Sequence, residues 1–198
     1  MMNTVLWATL GFCLGAIPFS LWLSQLAATT DIREVGDGNP GATNAWLAGG
    51  WRIGPLALFL DVFKAVIPVG LAHFVYGVAG WGLVVVALAP ALGHAYSPFL
   101  RFQGGKALAT TFGLWTGLML FEGPLVLGVA LACFYVLLDN DSWAAVLGII
   151  TFFIYLLLRQ VDVYFLTVGA LNVLLLTWKY RAGLPAGLRW RSWLGRVQ

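Results

Sequence analysis

Glycines, amides, a carboxylate and a hydroxyl alternate in the polar stretch 31–44, which reads Asp-Ile-Arg-Glu-Val-Gly-Asp-Gly-Asn-Pro-Gly-Ala-Thr-Asn. Glycine lets the backbone adopt positive φ and turn its N–H groups toward one point, while the amides and the hydroxyl offer neutral hydrogen bonds. This combination suits an oxyanion better than an apolar ligand. A plain turn, with Thr43 or Asn44 capping the next helix, is the alternative. The candidate ligand-binding residues are Gly36, Asp37, Gly38, Asn39, Gly41, Thr43 and Asn44.

A second polar stretch, residues 93–110, contains Gly104-Gly105-Lys106 just before an apolar run. Two flexible N–H donors, a helix N-terminus and an ammonium group together suit a phosphate. The spacing differs from that of the nucleotide-binding P-loop. The alternative is a loop with one lysine on the cytoplasmic side of a membrane. His94, near the start of this stretch, could act as a base or a donor, or be a hydrogen-bonded structural histidine.

A third group of polar residues lies inside the apolar runs themselves. Asp61 and Lys64 are three residues apart in the second run, so they share one helical face. Ionised groups in a membrane segment are costly and normally face a bundle interior or a cavity. We therefore predict a structural ion pair that braces two helices. Cys13 and Cys133 also lie in apolar runs, where we expect core packing and neither a disulfide framework nor a metal site.

The composition identifies the class of protein that must position these residues. Of 198 residues, 61% are hydrophobic and 10% are charged, and the mean hydropathy is +0.88. A soluble domain has about 25% charged and about 45–50% apolar residues, so a soluble, disordered, collagenous or disulfide-rich chain is excluded. The sequence therefore predicts an all-α, polytopic integral membrane protein.

Apolar runs bounded by turn or charge signals predict about seven transmembrane helices. They lie near 4–26, 53–76, 80–100, 107–121, 124–138, 143–158 and 161–178. The least certain division is the one between the fourth and fifth runs, at Glu122-Gly123-Pro124. In this topology the loops 27–52 and 101–106 lie on the same side of the membrane. The turn at 139–142 is on that side too, with Ser142 as the predicted cap of the sixth helix.

The basic residues predict the orientation of the chain. Ten basic residues lie between or after the predicted spans: with seven spans, nine of these lie inside and only Arg159 lies outside, whereas six spans divide them five to five. The positive-inside rule therefore predicts an outside N-terminus and a cytoplasmic C-terminus. A single transmembrane domain, 1–178, would precede a basic cytoplasmic tail, 179–198. We find no internal repeat, which disfavours a transporter built from inverted repeats.

These motifs together resemble the bacterial PlsY family of membrane glycerol-3-phosphate acyltransferases, which use acyl-phosphate as the donor. The family patterns are G-S-I-P-F, D-I-R-x-x-G-S-G-N-x-G-A-T-N, D-V-x-K and G-H-x-x-P-x-F-x-x-F-x-G-G-K-G-V-A-T. They correspond, in this order, to 15–19, 31–44, 61–64 and 93–110. The resemblance implies a multi-pass protein of the bacterial inner membrane that makes lysophosphatidic acid for phospholipid synthesis. It implies no cofactor, metal or nucleic acid, and leaves the oligomeric state open.

The chain departs from the family pattern at several positions. Asp37 replaces a serine, Leu47 an arginine and Ala107 a glycine, and the segment 179–198 lacks the histidine, asparagine and glutamate of the family's third region. Two hypotheses follow. The first is an acyltransferase in which Asp37 and His94 are catalytic and the two loops, including Gly104, Gly105 and Lys106, bind substrate. The second is a weakened or inactive homologue that binds phosphorylated lipid precursors or acts as a scaffold.

Overall fold

The computed structural model describes residues 2–27 and 30–192, and in these residues α-helices dominate. Their bounds are α1 Met2–Ala16, α2 Phe19–Ala27, α3 Ala42–Gly70, α4 Gly80–Ala95, α5 Leu108–Met119, α6 Glu122–Leu137, α7 Asp141–Leu158 and α8 Val163–Tyr180. Short 3-10 segments cover Ile32–Glu34, Pro98–Leu100 and Arg181–Ala186, and a π-helical turn, Leu71–Val75, extends α3. The all-α prediction is confirmed.

Five helical segments among the described residues are long and apolar enough to cross a membrane. They are Met2–Ala27, Ala42–Val75, Gly80–Leu100, Asp141–Leu158 and Val163–Ala186. The predicted fourth and fifth runs correspond to α5 and α6, which have only 12 and 16 residues. Every predicted run thus coincides with a helix, and the polytopic membrane fold is confirmed. The count of seven spans and the orientation of the termini stay predictions.

The chain divides into two compact units, 1–120 and 121–198. In the first unit α1 packs on α4, and α3 packs on both α2 and α5. An apolar cluster that includes Leu21, Ile32 and Ile53 lies between α2, α3 and the loop that joins them. In the second unit α7 packs between α6 and α8. All the candidate site residues belong to the first unit.

The first predicted span is interrupted where α1 gives way to α2. Pro18 has no N–H to donate, so it cannot continue the hydrogen-bond ladder of α1. At the break the Ile17 carbonyl accepts from the Phe19 N–H at 3.0 Å and also from Lys64 Nζ in α3 at 3.1 Å. The run 4–26 is therefore a span made of two helices, and its break provides a polar contact within the helix bundle.

Helix α3 begins at Ala42, so the last part of the predicted loop 27–52 is helical. Gly50, with φ +57° and ψ −146°, interrupts the regular helix within this region. The expectation that Thr43 or Asn44 caps the helix is wrong, because the cap position is Gly41 and has no side-chain hydrogen bond. The Asn44 amide is instead turned back toward the preceding loop, where it has other partners.

Two further expectations need correction. Asn140, and not Ser142, caps α7, because the Asn140 side-chain oxygen accepts from the N–H groups of Ser142 and Trp143 at 2.9 and 3.4 Å. Cys13 and Cys133 are exposed on their helices and are not core residues. Residues 28–29 of the first predicted loop and 193–198 of the predicted tail, with Arg196, lie outside the described residues.

Candidate functional site

The loop before α3 is a tight turn organised by one carboxylate. Gly36 and Gly38 have φ of +59° and +72°, the positive values that favour glycine, as the sequence predicts. Between them, Asp37 Oδ1 accepts hydrogen bonds from the Asn39 N–H at 3.1 Å and from Asn44 Nδ2 at 2.9 Å. Asn44 is buried and also donates to the Asn39 carbonyl at 3.0 Å. The two asparagines therefore hold Asp37 in a fixed position.

The same carboxylate joins the two polar stretches. Lys106 Nζ lies 2.7 Å from Asp37 Oδ2, and the side chains of Lys106 and Asp37 are 25% and 50% exposed. The contact is therefore open to solvent, and a soluble anion can reach the ammonium group. Two residues that are 69 positions apart in the chain are thus in contact. We call the polar surface around them the loop site: residues 36–44 and 104–106.

Electrostatics keep Asp37 ionised at neutral pH. Partial burial raises the pKa of its carboxyl, but the hydrogen bonds from Lys106, Asn39 and Asn44 and the charge of Lys106 together outweigh burial. The net pKa therefore lies below the ordinary aspartate value. An anionic ligand at the loop site has to compete with this carboxylate for Lys106.

Gly104 and Gly105 are required by close packing against His94. A Cβ atom at Gly104 would lie 2.0 Å from the His94 carbonyl oxygen, and one at Gly105 would lie 2.2 Å from His94 Nε2. Both distances are far inside van der Waals contact, and neither glycine has positive φ. The Gly105 N–H donates to the His94 carbonyl at 3.1 Å, so one of the two N–H donors expected for a phosphate is engaged within the protein.

Lys106 is followed by a residue in a left-handed conformation. Ala107 has φ +62° and ψ 15°, and α5 begins at the next residue, Leu108. This φ accounts for the glycine that the resembling motif has at this position, because glycine adopts it without steric cost. Lys106 therefore lies beside the N-terminus of α5, whose unpaired N–H groups favour negative charge.

Behind the loop site lies a buried polar cluster: Ser20, Asp61, Lys64 and His94, all at most 7% exposed. Lys64 Nζ is 2.7 Å from Asp61 Oδ1 and 2.8 Å from His94 Nδ1, and Ser20 Oγ donates to Asp61 Oδ2 at 2.6 Å. The predicted ion pair is confirmed. Ser20 was not predicted as part of this cluster; its signal in the sequence is a hydroxyl two residues after Pro18 in an apolar run.

In the described part of the chain, the first turns of α3 carry further residues that take no part in the side-chain hydrogen bonds of the Asp37 turn. Thr43 is exposed on the first turn of α3 and contributes no side-chain contact to the Asp37 turn. Leu47, where the family pattern has an arginine, is 63% exposed on the next turn. Arg52 is exposed beyond the Gly50 interruption. Gly41 packs against the Asn39 amide, because a Cβ there would lie 2.7 Å from Asn39 Nδ2.

Comparisons with known proteins agree with the motifs and extend them. A family model described as glycerol-3-phosphate acyltransferase matches residues 5–188. A glycerol-3-phosphate acyltransferase of Thermus thermophilus is 37% identical over 188 residues, 92% of this chain and 91% of that protein. Glycerol-3-phosphate acyltransferase 1 of Thermotoga maritima is 46% identical over 123 residues, 60% of this chain and 59% of that protein.

A solved structure has the same fold. The crystal structure of PlsY (YgiH), an integral membrane glycerol 3-phosphate acyltransferase in its glycerol 3-phosphate form, superposes with a TM-score of 0.85 at 29% identity. The match covers 98% of this chain and 94% of that one. The similarity therefore extends beyond residues 15–110, the part of the chain in which the motifs were found.

Proposed function

The chain belongs to the glycerol-3-phosphate acyltransferase family, and we propose that it moves a fatty acyl group from acyl-phosphate to the 1-hydroxyl of glycerol-3-phosphate. The product is lysophosphatidic acid, and the enzyme works as a multi-pass protein of the bacterial cell membrane. The family, the relatives and the solved structure support acylation of glycerol-3-phosphate. Acyl-phosphate as the donor follows from the resemblance to PlsY.

The reaction exchanges one acyl–oxygen bond for another. The hydroxyl oxygen attacks the acyl carbonyl carbon, an ester bond forms, and the bond from that carbon to the phosphate oxygen breaks. The hydroxyl proton ends on the released phosphate, so no side chain has to become acylated. The protein has to position two anions and stabilise the developing oxyanion, which are positioning and electrostatic tasks.

The contact between Lys106 and Asp37 is the observation that carries this proposal. It joins the two glycine-rich polar loops that the sequence predicts as ligand-binding. They meet at one ammonium group, which is open to solvent and lies beside the N-terminus of α5. A substrate phosphate at Lys106 displaces the Asp37 carboxylate. The freed carboxylate is then available to accept a hydrogen bond from the attacking hydroxyl, which is the base role predicted for it.

The remaining residues of the loop site have supporting roles in the proposal. Asn39 and Asn44 hold the turn around Asp37, and Gly36 and Gly38 supply its positive-φ backbone. Gly104 and Gly105 let the second loop lie directly on His94. This packing fixes the position of the backbone from which the Lys106 side chain extends. Gly41 and Thr43 complete the predicted substrate-binding set at the start of α3.

The test is acyl transfer by purified protein in lipid, with acyl-phosphate and labelled glycerol-3-phosphate. Lys106→Met should lower turnover at least a hundredfold, because it removes the ammonium that binds the phosphate. Lys179→Met, a lysine near the end of α8 in the second unit, is the matched control and should keep wild-type turnover.

Equal activity of Lys106→Met and wild type would refute the role given to the loop site. The inactive-homologue hypothesis predicts a different pattern: no turnover by the wild type, together with glycerol-3-phosphate binding that Lys106→Met removes. The ion pair between Lys106 and Asp37 keeps this second hypothesis in view, because a phosphate has to displace the carboxylate before it can bind Lys106.

A further inference from the structure

The proposed reaction leaves a buried ionic cluster, Ser20–Asp61–Lys64–His94, without a task. Asp61 and Lys64 have side chains only 1% exposed, on a helix that is long and apolar enough to span a membrane. Such an ion pair is costly, and well-packed apolar residues often replace one at no loss of stability. Bracing two helices is therefore a weak reason for these residue types, and the contacts of the cluster indicate another one.

The hydrogen bonds of Lys64 are complete. An ammonium group has three N–H donors, and Lys64 Nζ has three acceptors within 3.1 Å: Asp61 Oδ1, the Ile17 carbonyl and His94 Nδ1. Asp61 uses its second oxygen for the Ser20 hydroxyl. With Lys64 protonated, as its ion pair with Asp61 requires, the direction of these bonds is fixed, because an ammonium group only donates.

This direction determines the tautomer of His94. Since Lys64 donates to Nδ1, that nitrogen has no proton, and the neutral ring carries its proton on Nε2. The imidazole is 7% exposed, and its Nε2 side faces Gly105 so closely that a methyl group there would lie 2.2 Å away. The main chain of His94 holds the same glycine through the bond from the Gly105 N–H to the His94 carbonyl.

We propose that Ser20, Asp61 and Lys64 are positioning residues that fix His94 as the Nε2–H tautomer, and that His94 thereby fixes the Gly104–Lys106 loop for phosphate binding. This inference rests on the proposed function, because it assigns the network a task in the phosphate site of that function. The chain of contacts runs from the break at Ile17 through Lys64 and the imidazole to Gly105. In this role His94 acts through the loop and does not have to touch the substrate, unlike the catalytic role expected for it from the sequence.

The tautomer can be measured without any catalysis. The chain has two histidines, so His73→Gln leaves one imidazole, and protein labelled with 15N-histidine in lipid nanodiscs gives the protonation of each nitrogen by NMR. We expect a protonated Nε2 and an unprotonated, hydrogen-bonded Nδ1 at pH 7. The paired variant Asp61→Asn/Lys64→Met removes both charges together, leaves no uncompensated buried ion, and should release this fixed tautomer.

The effect on the loop is measured with inorganic phosphate as the probe. Calorimetric titration should show that Asp61→Asn/Lys64→Met raises the Kd for phosphate about tenfold, while the thermal midpoint changes by only a few degrees. His73→Gln is the control, because His73 contacts the Val78 carbonyl at the opposite end of α3, and it should leave the Kd unchanged.

Three results would overturn the inference: a doubly protonated or Nδ1–H ring in the parent protein, an unchanged tautomer in the paired variant, or a changed tautomer with an unchanged Kd. If the paired variant fails to fold, Ser20→Ala offers a milder test. We expect it to keep the His94 tautomer of the parent protein and to raise the Kd for phosphate by less than the tenfold expected for the paired variant. Turnover is assayed in the same preparations. An inactive wild type with the expected tautomer and Kd would refute the acyltransferase proposal and leave this one standing.

Discussion

Alanine at Gly105 tests whether this glycine is there for packing against His94. The added Cβ would lie 2.2 Å from His94 Nε2, whereas ordinary van der Waals contact begins near 3.4 Å, so the ring or the loop must move by about 1.2 Å. Overpacking of this kind costs about 1–3 kcal/mol. For a chain of this length each kcal/mol lowers the thermal midpoint by about 2–4 °C, so we expect a fall of about 2–12 °C.

A double-mutant cycle identifies the partner. His94→Ala removes the ring that the new Cβ would meet, so the loss caused by Gly105→Ala should nearly disappear in the His94→Ala background. The expected coupling is about 1–2 kcal/mol. Gly104→Ala gives the opposite outcome: its Cβ would lie 2.0 Å from the backbone carbonyl of His94, which His94→Ala leaves in place. Its cost should therefore be the same in both backgrounds.

The assay is thermal unfolding of purified protein in detergent, followed by helix content, with phosphate binding measured on each variant. Gly70→Ala is the matched control, because the nearest atom to its added Cβ is 3.8 Å away, and it should be neutral or slightly stabilising. Additive effects of Gly105→Ala and His94→Ala would show that the glycine does not pack on the imidazole. This result would also remove the contact on which the positioning role of His94 depends.

Three further predictions concern single residues. Asp37→Ser should tighten the binding of inorganic phosphate, by up to about fivefold in Kd, because it removes the competitor for Lys106; weaker binding by calorimetry would contradict the competition. The low pKa of Asp37 means that its pairing with Lys106 stabilises the fold fully above the unfolded pKa of about 4 and is lost as pH falls through the lower folded value. The difference in melting temperature between wild type and Asp37→Asn should therefore be constant from pH 7 to about pH 5 and shrink below about pH 4; a loss already at pH 6 would argue against the pairing. Asn140→Ala should cost about 1–2 kcal/mol in thermal unfolding, and Ser142→Ala clearly less, since only Asn140 caps α7; equal costs would contradict this assignment.

The helices could be predicted because membrane spans are dictated by long apolar runs, which the sequence shows directly. The ion pair of Asp61 and Lys64 could be predicted for a related reason: a charge in an apolar run needs a partner, and the helical repeat offers one three residues away. The break at Pro18 was not predicted, although a proline inside an apolar run is a signal for it.

The caps and the loop glycines were less accessible, because they depend on contacts between distant parts of the chain. Asn44 has the residue type of a cap, but Asp37 is a stronger partner for its amide than the helix terminus. The interpretation of Gly104 and Gly105 as N–H donors considered only the local sequence. Their actual neighbour is His94, ten and eleven residues earlier, and no local pattern indicates that contact.

The contact between the two loops depends on Asp37, which stands where the family pattern has a serine. The sequence alone did not show whether this carboxylate would help or hinder phosphate binding. A carboxylate in a phosphate site repels the ligand unless a cation neutralises it. From the sequence, Arg33, Arg52 and Lys106 are all candidates for the cation beside Asp37. The fold selects Lys106, at 2.7 Å, from the other polar loop. Asp37, one of the residues that depart from the family pattern, is thus the one that joins the two loops.

The most direct test of the central claim is the stoichiometry of the reaction catalysed by the wild-type protein in lipid. With acyl-phosphate and glycerol-3-phosphate both present, we predict equal amounts of lysophosphatidic acid and inorganic phosphate, and neither product when glycerol-3-phosphate is omitted. Release of phosphate without lysophosphatidic acid, or no reaction at all at saturating concentrations of both substrates, would contradict the assignment of acyl transfer to this site.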